Sequence, residues 1–314
     1  MQRLLFLMLT ILPLILSFRP LHLAQSKAQD SVRHHLNSDS HLLEIGRASK
    51  MRTVTESPAE IKVVSYNIRW RGGVELSKLA QVFKEDPEIG GAAILGLQEV
   101  DRNKKRTGNK NTIKILAEEL GMYYAWAAPA TPPSAARSLK AEAEEETGVV
   151  ILSSYPLSHV QRIVLPHEGP GLRRRVALGA TVTLGKTSLR FYSVHSETRI
   201  SVDRKLDQMK AVLEDLARYR KDMPAVVLGD FNTWEQDAVA KTVKLFTGEN
   251  FHTPFDEQPT FFRRALFVSI DLKLDWIWLR NIEESGYGVN RRLELSDHWP
   301  LWIVLRTEAR SSRE

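Results

Sequence analysis

Short apolar runs alternate with stretches of helical period along most of the chain. The runs "IKVVSY" (61–66) and "AAILGL" (92–97) are compact, whereas 74–84 and 111–120 space their apolar residues three and four apart. The first pattern predicts buried strands and the second amphipathic helices. Further strands are predicted at 148–152, 159–165, 175–184, 188–194, 225–228, 273–279 and 299–305, with helices at 202–219 and 236–246. In the longer helix Leu206, Met209, Leu213 and Leu216 mark the expected buried stripe, with Ser201 as N-cap and Asp203 in the first turn. Strands alternating with helices predict an α/β fold, and no fixed-period repeat is present. Between Pro129 and Glu146, prolines, small residues and acids predict a surface excursion.

Polar residues interrupt this pattern at the strand ends. "VVSYN" ends in Asn67, "AILGLQE" in Gln98 and Glu99, "LRFYSVH" in His195, and "VVLGDFN" in Asp230 and Asn232. Asp275 breaks "LKLDWIWL", and "LELSDHWP" brings Asp297 and His298 to the start of a strand. Each alone has an ordinary explanation: a turn after a strand, a solvated strand end, or a satisfied core histidine. Six together point to one ligand site, since the sites of α/β sheets form at strand ends.

Composition narrows the chemistry. With 43% hydrophobic and 26% charged residues, the 314-residue chain can bury a sizeable core. It has no cysteine, which excludes a disulfide framework, a zinc–thiolate site and a thiol nucleophile. Carboxylates beside amides and histidines suit a hard, oxygen-liganded ion such as Mg²⁺ or Mn²⁺. A hydrolase of that kind needs a polarising metal, a carboxylate to act on water, and donors for charge developing on phosphate oxygens.

The termini change the picture further. Arg3, the apolar run Leu4 to Leu16 and small residues at Ala24 and Ala28 have the layout of a secretory signal peptide, with an uncleaved anchor or a buried core helix as the alternatives. The run is shorter than the roughly 20 residues of a membrane span. The expected organisation is a signal at 1–25, a polar linker at 26–57, a catalytic domain at 58–307 and a polar tail at 308–314. Beyond residue 57 the chain has 37 basic and 34 acidic residues, a net charge of +3. That is a weak electrostatic footprint for nucleic acid.

In order along residues 60 to 306, "SYNIRW", "LGLQEVDR", "TGVVILSSYPL", "FYSVHSETR", "VLGDFNT", "LDWIW" and "LSDHWPL" resemble the endonuclease/exonuclease/phosphatase superfamily. That group includes deoxyribonuclease I, AP endonucleases, neutral sphingomyelinases and inositol polyphosphate 5-phosphatases. The resemblance implies a four-layer sandwich, two packed mixed β-sheets flanked by helices, and a set of roles. Glu99 would ligate Mg²⁺ or Mn²⁺, with Asn67 beside it and Asp297 near the metal or its waters. Asp230 would orient or deprotonate the attacking water, and Asn232 would donate to the phosphate. Asp275 would hold His298 next to the scissile phosphate. His195 would be a second donor, or the acid toward the leaving oxygen, oriented by Glu146. The segment "VHSETR" departs from the commoner Thr-His-Leu of the family.

Arg102, Arg175, Arg263 and Arg264 are candidates for substrate phosphate. The segment "FFRRALF" (261–267) reads equally as an apolar-basic loop beside the site or as a core strand. As an exposed loop it would offer Phe261, Phe262 and Phe267 to a membrane surface. The expectation is a metal-dependent phosphodiesterase acting outside the cytoplasm on nucleic acid, phospholipid or a small diester, with no obligate protein partner. The alternatives are a phosphomonoesterase on inositol-phosphate-like or nucleotide substrates and a catalytically idle binding protein.

Overall fold

The computed structural model describes residues 40–129, 146–170, 173–255, 258–265 and 268–307. Two mixed sheets carry the fold. The first contains β1 (Leu43–Arg47), β2 (Glu60–Asn67), β3 (Ile94–Lys104), β5 (Tyr123–Ala127), β6 (Glu146–Ser153), β14 (Glu284–Val289) and β15 (Leu301–Arg306). Its order is β1-β5-β6-β3-β2-β15-β14, and the two-residue β4 (Lys110–Asn111) pairs with β3. The second contains β7 (Leu157–Val164), β8 (Val176–Leu184), β9 (Thr187–His195), β10 (Ala225–Asp230) and β13 (Asp275–Arg280), in the order β13-β10-β9-β8-β7. A separate hairpin joins β11 (Phe261–Ala265) to β12 (Val268–Leu272).

Strand alternation sorts the apolar residues into layers. Val63, Ile94, Ile151, Phe191, Val226, Leu228 and Ile277 face inward and fill the space between the sheets. Their neighbours Val64, Leu95 and Val150 face outward, where α1 (Val74–Glu85) and α2 (Thr112–Leu120) cover them. On the other side Tyr192, Val227, Trp276 and Trp278 pack beneath α3 (Val202–Leu216) and α4 (Gln236–Gly248). The result is the expected four-layer sandwich, whose sheets are open rather than closed into a barrel.

Three local expectations need correction. Residues 43–47, inside the stretch read as linker, form β1 and pair with β5 along the sheet edge. The backbone then stays docked, with Ala48 N donating to Met122 O and Arg52 N to Gly121 O, each at 3.0 Å. Buried Leu42 and Ala48 flank a strand too short and too polar to show a period. In α3 the buried stripe is Lys205, Gln208, Met209, Val212, Asp215 and Leu216, so Leu206 and Leu213 sit at its margin. Its polar members are buried because each is bonded: Asp215, for example, accepts from Arg190 at 3.1 Å and Tyr192 at 2.8 Å. Ser201 is the N-cap by position, yet its side chain makes no capping bond. The expected signal peptide, residues 26–39 of the expected linker, residues 130–145, Phe267 and the expected polar tail lie outside the described residues.

Candidate active site

The same alternation that builds the core delivers the polar strand ends to one place. On β10, Val226, Leu228 and Asp230 share the inner face; on β13, Asp275 shares it with Ile277; on β9, His195 shares it with Phe191. Register completes the convergence. Asp230 lies opposite His195 on one neighbour and Asp275 on the other, while Asn67 lies opposite Gln98 in the facing sheet. The inter-sheet layer is therefore mostly apolar, with Ser65 and Ser193 one row in, and it ends in a row of carboxylate, imidazole and amide.

Two backbone features aim this row. The β3–β6 ladder shifts register between Leu97 and Val100, so Gln98 and Glu99 form a bulge in β3, and Glu99 adopts φ 56°. A bulge of this kind re-aims a side chain, and a non-glycine residue there carries strain that the surrounding fold must hold. Glu99 lines the pocket, and its one side-chain partner among the described residues is Asn67 Nδ2 at a long 3.4 Å. Gly229, just before Asp230, has φ 135°, and a Cβ there would meet Val194 O at 2.0 Å. Only glycine lets β10 lie that close to β9.

The pocket holds about 490 Å³ and is lined by Glu99, Asp230, Asn232, Asp297, His195 and His298, among others. Asp230 is its centre. Asp230 Oδ2 accepts from Asn67 Nδ2 at 3.0 Å and lies 3.7 Å from the Nε2 atoms of both His195 and His298. Its Oδ1 accepts from the backbone N–H of Asn232 at 3.0 Å. Asn232 gives one amide hydrogen to Ser196 O at 3.1 Å, which leaves its second for a ligand. His298 Nδ1 is 2.8 Å from Asp275 Oδ2.

Electrostatics separates the groups. Burial raises the Asp230 carboxyl, opposed by the His298 charge, to about 7. Burial works against a charge on His298, but Asp275 and Asp230 outweigh it and lift the ring to about 10. His195 goes the other way: burial first, then the Arg175 and His298 charges, holds it well below its usual value. At neutral pH the site thus pairs a cationic imidazole with a neutral one.

A sequence model of the Endonuclease/Exonuclease/phosphatase family matches residues 64–298. The chain belongs to this family. Its fold is shared by an endonuclease/exonuclease/phosphatase from Beutenbergia cavernae, at 19% identity and TM-score 0.61, over 80% of this chain and 72% of that one. It is shared also by a humanized D. rerio TDP2, at 16% identity and TM-score 0.60, over 80% and 100% of the two chains. A D. rerio TDP2 solved with a single-strand DNA product gives 14% identity and TM-score 0.58, over the same shares. No curated protein sequence matches the chain. Members of the endonuclease/exonuclease/phosphatase family are in general phosphoester hydrolases, and they usually use a divalent metal.

Around the pocket, Asn67, Glu99, His195, Asp230, Asn232, Asp275, Asp297 and His298 come together. Asn67 braces the Glu99 and Asp230 carboxylates with its amide nitrogen, while its oxygen accepts from Arg69 N at 3.1 Å. Arg175 lines the pocket and pairs with Glu197 at 3.1 Å. Arg263 lines it too, whereas Arg264 pairs with Glu294 at 3.2 Å beside a neighbouring groove.

Two candidates fall elsewhere. Glu146 does not orient His195: its buried carboxylate accepts from Arg173 at 3.4 Å and burial raises it, while Asp230 is the carboxylate beside His195. Arg102 does not face the pocket: Glu44 takes it at 3.1 Å, the His41 carbonyl at 2.6 Å, and the Trp126 ring at 4.0 Å. Both partners, Glu44 and His41, belong to the stretch that reads as linker.

The sequence reading also passes over three helpers. Ser296 Oγ donates to Asn67 O at 2.7 Å and accepts from His298 N at 3.3 Å, tying β2 to the His298 turn. Arg69 holds Asp297 at 3.0 Å. Lys205 Nζ donates to Asn232 O at 2.8 Å and fixes the turn after β10. A lysine on the core side of a helix was the available signal for the last. The other two carry none, because the bonds from Ser296 to Asn67 and from Arg69 to Asp297 span more than 200 residues of sequence.

A divalent ion fits the Glu99 side of the pocket. Glu99 and Asp297 supply hard oxygens there, and Glu99 is held in place without a strong protein partner. Ligand atoms of Asp230, Asp275 and His298 also lie within 4.8 Å of one another. With His298 protonated and its Nδ1 engaged by Asp275, that trio is a hydrogen-bond relay rather than a ligand set.

Proposed function

We propose that the chain is a divalent-metal-dependent phosphodiesterase. The observation that carries this reading is the placement of Asp230 at the pocket floor, equidistant at 3.7 Å from two histidines and flanked by Asn67 and Asn232. Glu99, with Asp297 close to the ion or its waters, would hold Mg²⁺ or Mn²⁺. That ion would supply Lewis-acid stabilisation of charge on the phosphoryl oxygens. Asp230 accepts hydrogen bonds and sits where it can orient a water and take its proton. His298, charged and fixed by Asp275, donates to a non-bridging phosphate oxygen. Asn232 gives its second amide hydrogen to the same group. His195, kept neutral, donates toward the leaving oxygen.

The substrate is a phosphate diester of nucleic acid, phospholipid or small-molecule origin, and the protein acts outside the cytoplasm. The N-terminal layout supports the second point, and mass spectrometry of native protein beginning at about residues 25 to 29 would establish it. The test of activity is hydrolysis of DNA, sphingomyelin dispersions, phosphoinositides and chromogenic mono- and diesters, with and without Mg²⁺. Metal-dependent turnover of a diester is expected. A preference for monoesters, or no turnover of any substrate with metal present, overturns the reading.

A further inference from the structure

A second groove of about 520 Å³ adjoins the pocket and shares Arg69, Phe261, Arg263 and Asp297 with it. Its remaining wall includes Arg71, Phe262 and Arg264. Four guanidinium groups therefore line one cavity. Three already meet carboxylates: Arg69 meets Asp297 at 3.0 Å, Arg71 meets Glu75 at 3.0 Å, and Arg264 meets Glu294 at 3.2 Å. Arg263 is exposed and has no carboxylate partner among the described residues. The Arg264 pair is itself solvent-exposed, at 67% and 54%, so it binds its partners weakly and yields to a better anion.

Ring and backbone contacts fasten the wall. Phe262 stacks on Trp299 with ring centroids 4.6 Å apart, and Phe261 meets the His298 ring edge-on at 5.1 Å. The backbone adds Phe262 N to Asp297 O at 2.9 Å and Trp299 N to Thr260 O at 2.7 Å. The strand carrying Arg263 is thus fastened to the segment carrying Asp297 and His298. Alternation along β11 puts Phe261 and Arg263 on one face, at the boundary between the two cavities.

We infer that this groove is a second anion subsite, which takes a phosphate monoester attached to the substrate beyond its scissile diester, with Arg263 as the residue that selects for it. The inference rests on the proposed diesterase reading for its place in the reaction. A planar guanidinium without a carboxylate partner suits a phosphate dianion, which it can grip through two parallel hydrogen bonds. Such a monoester occurs both at a nucleic-acid end and on a phosphorylated lipid head group.

Binding is measured by calorimetry in chelator, where no metal-assisted turnover intervenes. One pair of probes is thymidylyl-thymidine with and without a terminal phosphate, at the 5′ or the 3′ end. The other is glycerophosphoinositol with and without a 4-phosphate. The protein should bind the phosphorylated member of one pair about tenfold more tightly, and the responding pair names the source. Arg263→Gln should bring that ratio close to one, Arg264→Gln should reduce it less, and Arg263→Lys should restore part of it. A ratio near one in the unmodified protein, a ratio untouched by Arg263→Gln, or no binding of any probe at millimolar concentration overturns the subsite. Absence of hydrolysis with Mg²⁺ alongside an intact ratio would instead remove the diesterase reading and leave the subsite standing.

Discussion

His298 and Asp275 form a buried pair, Nδ1 to Oδ2 at 2.8 Å, and the far side of the same ring lies 3.7 Å from Asp230. Burial alone would discharge that imidazole, so its charge depends on the two carboxylates. Asp275→Asn removes the nearer one. The His298 titration, followed by NMR, should fall by about two pH units or more, and turnover should drop about 10²- to 10⁴-fold. An unchanged pH–rate profile would mean that the pair only fills space.

The same pair makes stability depend on pH with a definite sign. His298 is raised from about 6.5 to about 10, so its stabilisation is complete below about 6.5 and is lost as pH rises through 10. The stability difference between wild type and Asp275→Asn should therefore be largest at or below pH 6.5 and narrow toward pH 10. Denaturant titrations across this window check it, and a gap that widens with pH would contradict the assignment.

Glu99 tests the metal. Chelator should abolish hydrolysis and Mg²⁺ or Mn²⁺ should restore it, while Glu99→Ala should remove most activity and weaken metal binding seen by calorimetry. Thermal stability without metal should change little, since the lost hydrogen bond is only a 3.4 Å contact. Full turnover in chelator would end the metal mechanism.

Gly229 tests the backbone beneath Asp230. A Cβ at φ 135°, 2.0 Å from Val194 O, forces β10 away from β9. Gly229→Ala should cost about 1–3 kcal/mol or more of stability and displace Asp230 from His195. Melting temperature and kcat should fall together; a neutral substitution would show that the close approach is dispensable.

The edge strand tests the domain boundary. Glu44 accepts from Arg102 at 3.1 Å, Asn111 at 3.0 Å and Tyr124 at 2.8 Å. Glu44→Ala should cost about 1–3 kcal/mol through the donors it leaves unpaired, with kcat/KM nearly unchanged because the cluster lies off the pocket. A chain starting at residue 53 should melt well below one starting at residue 40. Equal melting would return 40–52 to the role of linker.

Much of the fold could be read from alternation and period alone. "VVLGDFN" places Val226 and Leu228 on one face, and the same count places Asp230 beside them. Boundaries of α1, α2 and α4 came within about two residues, because their apolar faces are strongly periodic. The strand β1 escaped notice because five half-exposed residues have too little pattern to separate them from linker. That omission hid Glu44, and without Glu44 the Arg102 side chain looked free for substrate.

The sequence by itself determined the family, the sandwich and the polar residues at the strand ends, because each is written in local order: residue type, alternation and motif spacing. Tertiary structure alone decided which of those ends meet. Asn67 bonds Asp230 across 163 residues, and Ser296 bonds Asn67 across 229. It also decided that His298 is charged while His195 is neutral, since desolvation and nearby charge depend on neighbours that no local pattern specifies. Glu146 and Arg102 went to other partners for the same reason: a side chain's role follows from what the packed sheets bring within reach of it.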